Sequence, residues 1–464
     1  MNRSFSVPQC LGVSLLRDPS MARTEPARGM RDFLPEDVRR REYVIGIITR
    51  VYERYGFEPL ETPAVENIDT LMGKYGEEGN QLIFKILKRG EHEATGQADL
   101  ALRYDLTVPL ARVIAHHQSD LPRLFKRYQI QPVWRADRPA RGRFREFYQC
   151  DVDALGSTAP IVEAELCSAV AEALVELGFT DFGIRINHRQ LLTSLLTVAG
   201  VAAESHGDAL VAIDKLDKIG ADGVRRELEQ RGISGDAATA VLAFFQPSVA
   251  ESELDRLAGF VGDDAIGVAA LANLRAIVDL VRTTPAAGRI RLDPSLARGL
   301  SYYTGAIMEI NVADLAGSLG GGGRYDNLVG MFLGQSIPAC GFSLGLERIL
   351  VVMGERGMFP PSLATTPADV MMAVFDAADQ PHALRVAALL RTAGLRVLVY
   401  PDADKIGKQI KYADSRAIPY VAILGSDEIS AGTVTVKNLA GKTQQTYDQA
   451  AAGAAILEEL KRRG

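Results

Sequence analysis

The stretch from Phe125 to Asp153 constrains the fold of this chain more than any other. Phe125 to Arg135 reads as extended and runs into Trp134-Arg135-Ala136-Asp137. The next six residues, Arg138-Pro139-Ala140-Arg141-Gly142-Arg143, hold three arginines with the turn formers Pro and Gly. From Arg145 to Asp153 the residues alternate. A period of two puts Phe147, Gln149, Asp151 and Asp153 on one face, and Tyr148, Cys150 and Val152 on the other. The spacing predicts an antiparallel hairpin with an arginine-rich turn. A solvated charged face is the ordinary outcome for such a hairpin. Two carboxylates on one face with Phe147 fit a polar pocket better. From Arg123 to Arg145 there are eight basic residues against one acid, Asp137. The overall charge of -6 argues neither for nor against nucleic acid, so an RNA contact has to come from such local patches.

A second segment, Leu296-Ala297-Arg298-Gly299-Leu300-Ser301-Tyr302-Tyr303-Thr304-Gly305, gathers a guanidinium, two phenols and two glycines. A forked permanent cation suits a phosphate or a carboxylate. The phenols offer flat walls and hydroxyl donors to a small polar ligand, and the glycines let backbone approach it. Alone, the segment fits a buried Tyr-rich strand with one exposed arginine equally well.

The 464 residues are too many for one core, so two or three domains are expected. Apolar residues repeat at three and four from Pro35 to Tyr55, which predicts a helix ended by Gly56. An extended Phe57–Pro63 follows, with prolines that prefer a sheet edge. A helix is expected over Val162–Leu177, and an Ala- and Leu-rich helical insertion over about 191–285. Pro-containing residues 357–368 read as a linker. Beyond them strands and helices alternate: strands at Val370–Phe375, Arg396–Val399, Tyr420–Leu424 and Thr433–Lys437, helices at Ala383–Ala393 and Ile406–Ser415, and a final helix. Cys10, Cys150, Cys167 and Cys340 lack paired or metal-like spacing, and fit free thiols in a reducing compartment. No apolar run reaches membrane-spanning length. Met1–Arg17 has no acid and two arginines. It reads as a targeting peptide or as an over-long start before Met21.

With these residues on the page, the chain resembles the histidyl-tRNA synthetases, a family of class II aminoacyl-tRNA synthetases. The hairpin resembles the second motif of that class. The Arg298 segment resembles the histidine-specific Arg-Gly-Leu-x-Tyr-Tyr, Gly320–Asp326 the glycine-rich second histidine motif, and Gly341–Arg348 the third class motif. The resemblance runs from about Glu25 to the C-terminus. It implies an α/β chain: an α+β catalytic domain (25–356) with the antiparallel sheet of class II synthetases, and a C-terminal α/β anticodon-binding domain (369–464). Residues 1–24 form an N-terminal extension. The implied activity is histidine–tRNA ligation through histidyl-adenylate, with ATP as substrate, Mg2+ accompanying it and no metal held by a protein motif. The implied partners are L-histidine, tRNA(His) and a second copy of the chain in a homodimer. No membrane is involved, and the setting is cytoplasmic unless residues 1–20 direct it to an organelle.

The resemblance also assigns residues. Arg135 and Arg298 are the catalytic arginines near the α-phosphate and the amino-acid carboxylate. Arg143 contacts the terminal phosphates of ATP, Arg348 binds ATP, and Phe147 stacks on adenine. Asp105, Leu106 and Thr107 stand where the family often has Glu-Gly-Thr; with Gln149 they form the ammonium site. Asp153, where many members have Glu, and Tyr303 flank the imidazole, with Tyr302 and Tyr325 as walls. Lys405, Lys408, Gln409, Lys411 and Tyr412 resemble the anticodon-binding segment. The competing reading is the synthetase-like, histidine-sensing regulatory subunit of ATP phosphoribosyltransferase. That subunit typically lacks the C-terminal domain and degrades the ATP arginines retained here. A third is an RNA-binding sensor on the same fold.

Overall fold

A computed structural model describes residues 24–90, 95–246, 253–297, 302–361, 363 and 366–463. Residues 1–20, Cys10 and Arg298 therefore lie outside the described residues. The chain divides into two compact units. The first takes in Val44–Val352 and the described residues up to Phe33. The second takes in Leu34–Tyr43 and the chain from Met353.

In chain order the strands of the first unit are β1 (Glu58–Pro59), β2 (Val65–Asn67), β3 (Lys85–Leu87), β4 (Ala98–Leu102), β5 (Phe125–Trp134), β6 (Glu146–Leu155), β7 (Gly183–His188), β8 (Ile290–Leu292), β9 (Ala306–Asn311), β10 (Gly320–Arg324) and β11 (Ala339–Gly345). The main sheet has eight strands in the order β1-β5-β6-β11-β10-β9-β7-β8. Its six central strands pair antiparallel, and the short edges β1 and β8 pair parallel. The predicted hairpin is β5–β6, in register from Phe125↔Leu155 to Trp134↔Glu146. Its inner half is not solvated: Gln149 to Leu155 are all buried.

The helix Pro35–Arg54 forms where expected and buries Val44, Ile47, Ile48, Val51 and Tyr52. The Tyr52 hydroxyl reaches the Cys150 carbonyl of β6 at 3.4 Å. The helix Ile161–Glu176 also forms, with Cys167 Sγ 3.3 Å from Met308 Sδ on β9. The proline segment is fastened by Arg103, whose buried guanidinium donates to the carbonyls of Thr62 (2.6 Å), Pro63 (3.2 Å) and Pro132 (2.9 Å). Between β7 and β8 the described chain is helical, from Arg189–Val198 to Ala265–Val281.

The second unit carries a five-stranded mixed sheet in the order β13-β12-β14-β15-β16. These are β12 (Val370–Val374), β13 (Val397–Val399), β14 (Tyr420–Leu424), β15 (Thr433–Asn438) and β16 (Thr443–Asp448). Alternate residues of β12 face opposite ways. Val370, Met372 and Val374 pack into one apolar cluster, Met371 and Ala373 into the other. The helix Ile406–Ser415 has the bounds that the periodicity predicts. One residue on it needs correction. Gln409, expected on the RNA-facing surface, is fully buried. Its Nε2 donates to the Val374 carbonyl (2.7 Å) and its Oε1 accepts from the Val374 N–H (3.0 Å). A buried amide has to find partners for both ends, and the end of β12 supplies them. Lys405, Lys408, Lys411 and Tyr412 are exposed.

Candidate active site

The main sheet holds a cavity of about 420 Å³ over β6, β10 and β11. Its floor is open because β10 begins with four glycines. A Cβ on Gly322 would lie 2.1 Å from the Gly341 carbonyl oxygen, and one on Gly341 1.8 Å from Asp153 Oδ1. Neither contact is possible, so these positions tolerate no side chain. Register then decides which residues look into the space. Asp153 stands between Arg127 of β5 and Gly341 of β11, Asp151 between Gln129 and Ser343, and Gln149 between Gln131 and Gly345.

One end of the cavity is acidic. Asp105, Asp151 and Asp153 line it and are buried. Asp105 Oδ1 accepts from the Val108 N–H (3.0 Å) and the Tyr75 hydroxyl (2.9 Å); its Oδ2 lies 3.4 Å from the Tyr302 hydroxyl. Asp153 is held by Arg127 Nη2 at 2.9 Å and by the Tyr325 hydroxyl. Burial pushes the Asp105 and Asp153 carboxyls above the usual carboxylate range, against the pull of Arg135 on the first and Arg127 on the second. Burial, opposed by Arg127 and assisted by Asp153, pushes Asp151 up to about 7. Burial also raises Tyr302, Tyr303 and Tyr325, so these phenols remain protonated donors at neutral pH.

The other end is basic. Arg135, Arg143 and Arg348 line it together with Phe147. Arg135 Nε donates to the Tyr104 carbonyl at 3.0 Å. The guanidinium carbon sits 4.3 Å from the centroid of the Tyr104 ring and 5.2 Å from that of Phe147. Arg143 pairs with Asp137 at 2.9 Å, and Arg348 donates to the Ser318 carbonyl. Glu347, beside Arg348, accepts from the Tyr148 N–H at 3.0 Å and so fixes the helix Leu346–Glu355 against β6.

Of the residues assigned from sequence, Asp105, Thr107, Arg135, Arg143, Phe147, Gln149, Asp153, Tyr302, Tyr303 and Arg348 meet at this cavity. Leu106 does not line it. Its side chain is fully buried, and its carbonyl accepts from Arg127 at 3.3 Å. Sequence reasoning missed Arg127, and it left Asp151 without a role. The signal was present: Arg127 sits at an inward alternation position of β5, an even number of residues from Gln129 and Val133.

Residues 29–349 match the family described as histidyl-tRNA synthetase, and residues 369–459 match the anticodon binding domain. The chain belongs to the histidyl-tRNA synthetase family. Relatives named histidine–tRNA ligase agree with that. The Flavobacterium johnsoniae protein is 40% identical, with 91% of this chain and 96% of that protein covered. The Gloeobacter violaceus protein is 41% identical, with 93% and 98% covered. The crystal structure of histidyl-tRNA synthetase from a Nostoc species superposes with a TM-score of 0.78 at 32% identity, covering 96% of this chain and all of that one (100%). A Bacillus halodurans structure titled as an ATP phosphoribosyltransferase regulatory subunit/histidyl-tRNA synthetase shares the fold, with a TM-score of 0.67 at 22% identity, covering 84% of this chain and 96% of that one. For the histidyl-tRNA synthetase family, a cavity acidic at one end and basic at the other is the expected meeting place of an amino acid and a nucleotide.

Proposed function

We propose that the chain activates L-histidine with ATP, releasing pyrophosphate, and passes the histidyl group to the 3′ end of tRNA(His). The observation that carries this is the polarity of the cavity over β6, β10 and β11. Three buried carboxylates face a ligand that brings an ammonium group and imidazole N–H donors. Three arginines and an aromatic face a ligand that brings phosphates and a flat base. The carboxylate of histidine and the α-phosphate then meet near Arg135, held for in-line attack. The resemblance assigns Arg298, which lies outside the described residues, as a second cation for this step. Magnesium enters with the triphosphate as its counter-ion. No described helix is long and apolar enough to cross a membrane. The setting proposed is the cytoplasm, and the edge strand β1 is proposed as part of a homodimer contact.

The experiment is ATP–pyrophosphate exchange with each of the twenty amino acids. Exchange is expected with L-histidine alone. Exchange with another amino acid and not with histidine removes this reading. The regulatory-subunit reading is disfavoured by Arg135, Arg143 and Arg348 at one cavity and by the anticodon-binding match over residues 369–459.

The exposed Lys405, Lys408, Lys411 and Tyr412 are proposed to meet the anticodon. Lys408 is also paired with Asp404 at 2.7 Å, and Tyr412 stands edge-on to Tyr400 with ring centroids 5.4 Å apart. Stacking of one base on an aromatic side chain is worth about 1–3 kcal/mol. Tyr412→Ala is therefore expected to lower kcat/KM for tRNA charging by roughly tenfold to a hundredfold, with pyrophosphate exchange unchanged. Charging at the wild-type rate would take Tyr412 out of the RNA contact.

A further inference from the structure

The turn between β5 and β6 crowds Arg135, Arg138, Arg141, Arg143 and Arg145 into eleven residues, with Asp137 as the one acid. Like charges this close repel one another. A second segment of the chain lies against the turn. The Arg145 N–H donates to the Gly29 carbonyl at 2.8 Å. Gly29 has a φ of 83°, in the left-handed region. A Cβ there would lie 2.8 Å from Arg145 Cγ and 2.9 Å from Pro139 Cγ. Two residues on, the Arg31 guanidinium carbon is 3.5 Å from the centroid of the Phe144 ring and 4.8 Å from that of Phe33. Its Nη2 lies 4.0 Å from Glu347 Oε1. Phe144 and Glu347 line the cavity beside Arg143 and Arg348, whereas Gly29 and Arg31 stand outside it.

We propose that residues 29–33 form a strap that sets the arginine-rich turn for the nucleotide, with Arg31 as its positioning residue, acting through Phe144 and Glu347. This rests on the ATP-binding reading of the basic end of the cavity, and adds to it residues outside the motifs assigned above. Phe144 stands between Arg143 and Arg145, and Glu347 precedes Arg348 on the helix Leu346–Glu355. One guanidinium therefore reaches a chain neighbour of each of these two ATP arginines. A cation over an aromatic face is attracted by the ring quadrupole, and more strongly where water is excluded. Glu347 adds an attraction of longer range. Its other oxygen accepts from the Tyr148 N–H at 3.0 Å, so that attraction has a fixed origin.

What the strap changes is the order of the turn before ATP arrives. A loop that has to be ordered at binding lowers affinity by the entropy it loses. A turn already tied at the Arg145 N–H and stacked at Phe144 presents Arg143 without that loss. The effect falls on the nucleotide. The carboxylates at the other end of the cavity are held from different elements. Arg127 of β5 holds Asp153, and the Val108 N–H of the helix Thr107–His116 holds Asp105. Histidine affinity therefore does not depend on the strap.

The test is steady-state ATP–pyrophosphate exchange by the full-length protein, with KM measured separately for ATP and for histidine. The variants are Arg31→Ala, Arg31→Lys, Phe144→Leu and the double variant Arg31→Ala with Phe144→Leu. Arg31 is exposed, so its variants are expected to fold. Arg31→Ala is expected to raise KM for ATP about threefold to tenfold and to move KM for histidine by less than about twofold. Arg31→Lys keeps a cation over the ring without the planar fork, and should recover part of the loss. Because Arg31 acts through Phe144, the double variant should raise KM for ATP little beyond the larger single effect. Gly29→Ala, which presses on Pro139 and Arg145, is expected to raise KM for ATP more than Arg31→Ala does. An unchanged KM for ATP in Arg31→Ala, a parallel rise in both KM values, or fully multiplicative effects in the double variant overturns the strap and leaves ATP binding intact. A wild-type protein without histidine-dependent exchange overturns the ATP-binding reading and this inference with it.

Discussion

Arg135→Gln is expected to slow histidyl-adenylate formation on the order of a thousandfold, as one lost oxyanion donor in an enclosed site costs about a hundredfold to a thousandfold and this donor is charged. The structure explains why the arginine should act on the transition state more than on binding. Its Nε is spent on the Tyr104 carbonyl, and the plane of the guanidinium is flanked by Tyr104 and Phe147. The group is thus oriented before substrate arrives and needs no reorganisation when charge shifts on the α-phosphate. Single-turnover rates should fall far more than the dissociation constants of histidine and ATP rise. Arg135→Lys should recover little, because a point ammonium cannot keep the backbone contact and the fork together. A loss below tenfold in Arg135→Gln, with both substrates saturating, would remove Arg135 from the chemistry.

The resemblance of the hairpin to the second class motif assigns this arginine; the residues alone place it at the end of a long alternating strand, before a turn. Where period and propensity are both strong, as in β5, β6 and the helix Ile406–Ser415, sequence and structure agree to within a residue or two. The register of that hairpin then brings Phe147, Gln149, Asp151 and Asp153 onto the cavity, as a period of two requires. Three kinds of feature were not legible. β10 is four glycines and an arginine, which carry no strand propensity; its neighbours β9 and β11 make it a strand. β16, Thr-Gln-Gln-Thr-Tyr-Asp, is a polar edge strand with no buried face to leave an apolar pattern. The orientations of Leu106 and Gln409 are set by tertiary partners. Arg127 takes the carbonyl of the first and Val374 the amide of the second, and no local spacing records either.

A second large effect is expected behind the sheet. Arg324 Nε donates to Glu163 Oε1 at 2.6 Å; its Nη1 reaches the Ser157 carbonyl (2.9 Å) and Asp326 Oδ1 (3.1 Å). Glu163 is fully buried and Arg324 nearly so. His188 nearby adds no second cation: burial, with Arg324 assisting, pushes it down to about 4, so it is neutral at pH 7. Glu163→Ala leaves the buried Arg324 with Asp326 as its remaining carboxylate and its Nε without the acceptor at 2.6 Å, and is expected to cost about 1–3 kcal/mol of stability, read as a lower midpoint in urea unfolding. The cost comes from the buried donor left without its acceptor more than from the lost attraction, so Glu163→Ala with Arg324→Met should recover much of it. The single variant should also weaken histidine binding in the fraction that stays folded. Arg324 fixes the end of β10, and the next residue, Tyr325, donates its hydroxyl to Asp153. If the double variant is no more stable than Glu163→Ala, the penalty is lost packing against the helix Ile161–Glu176. In that case the ion pair does not govern how β10 is held against the cavity.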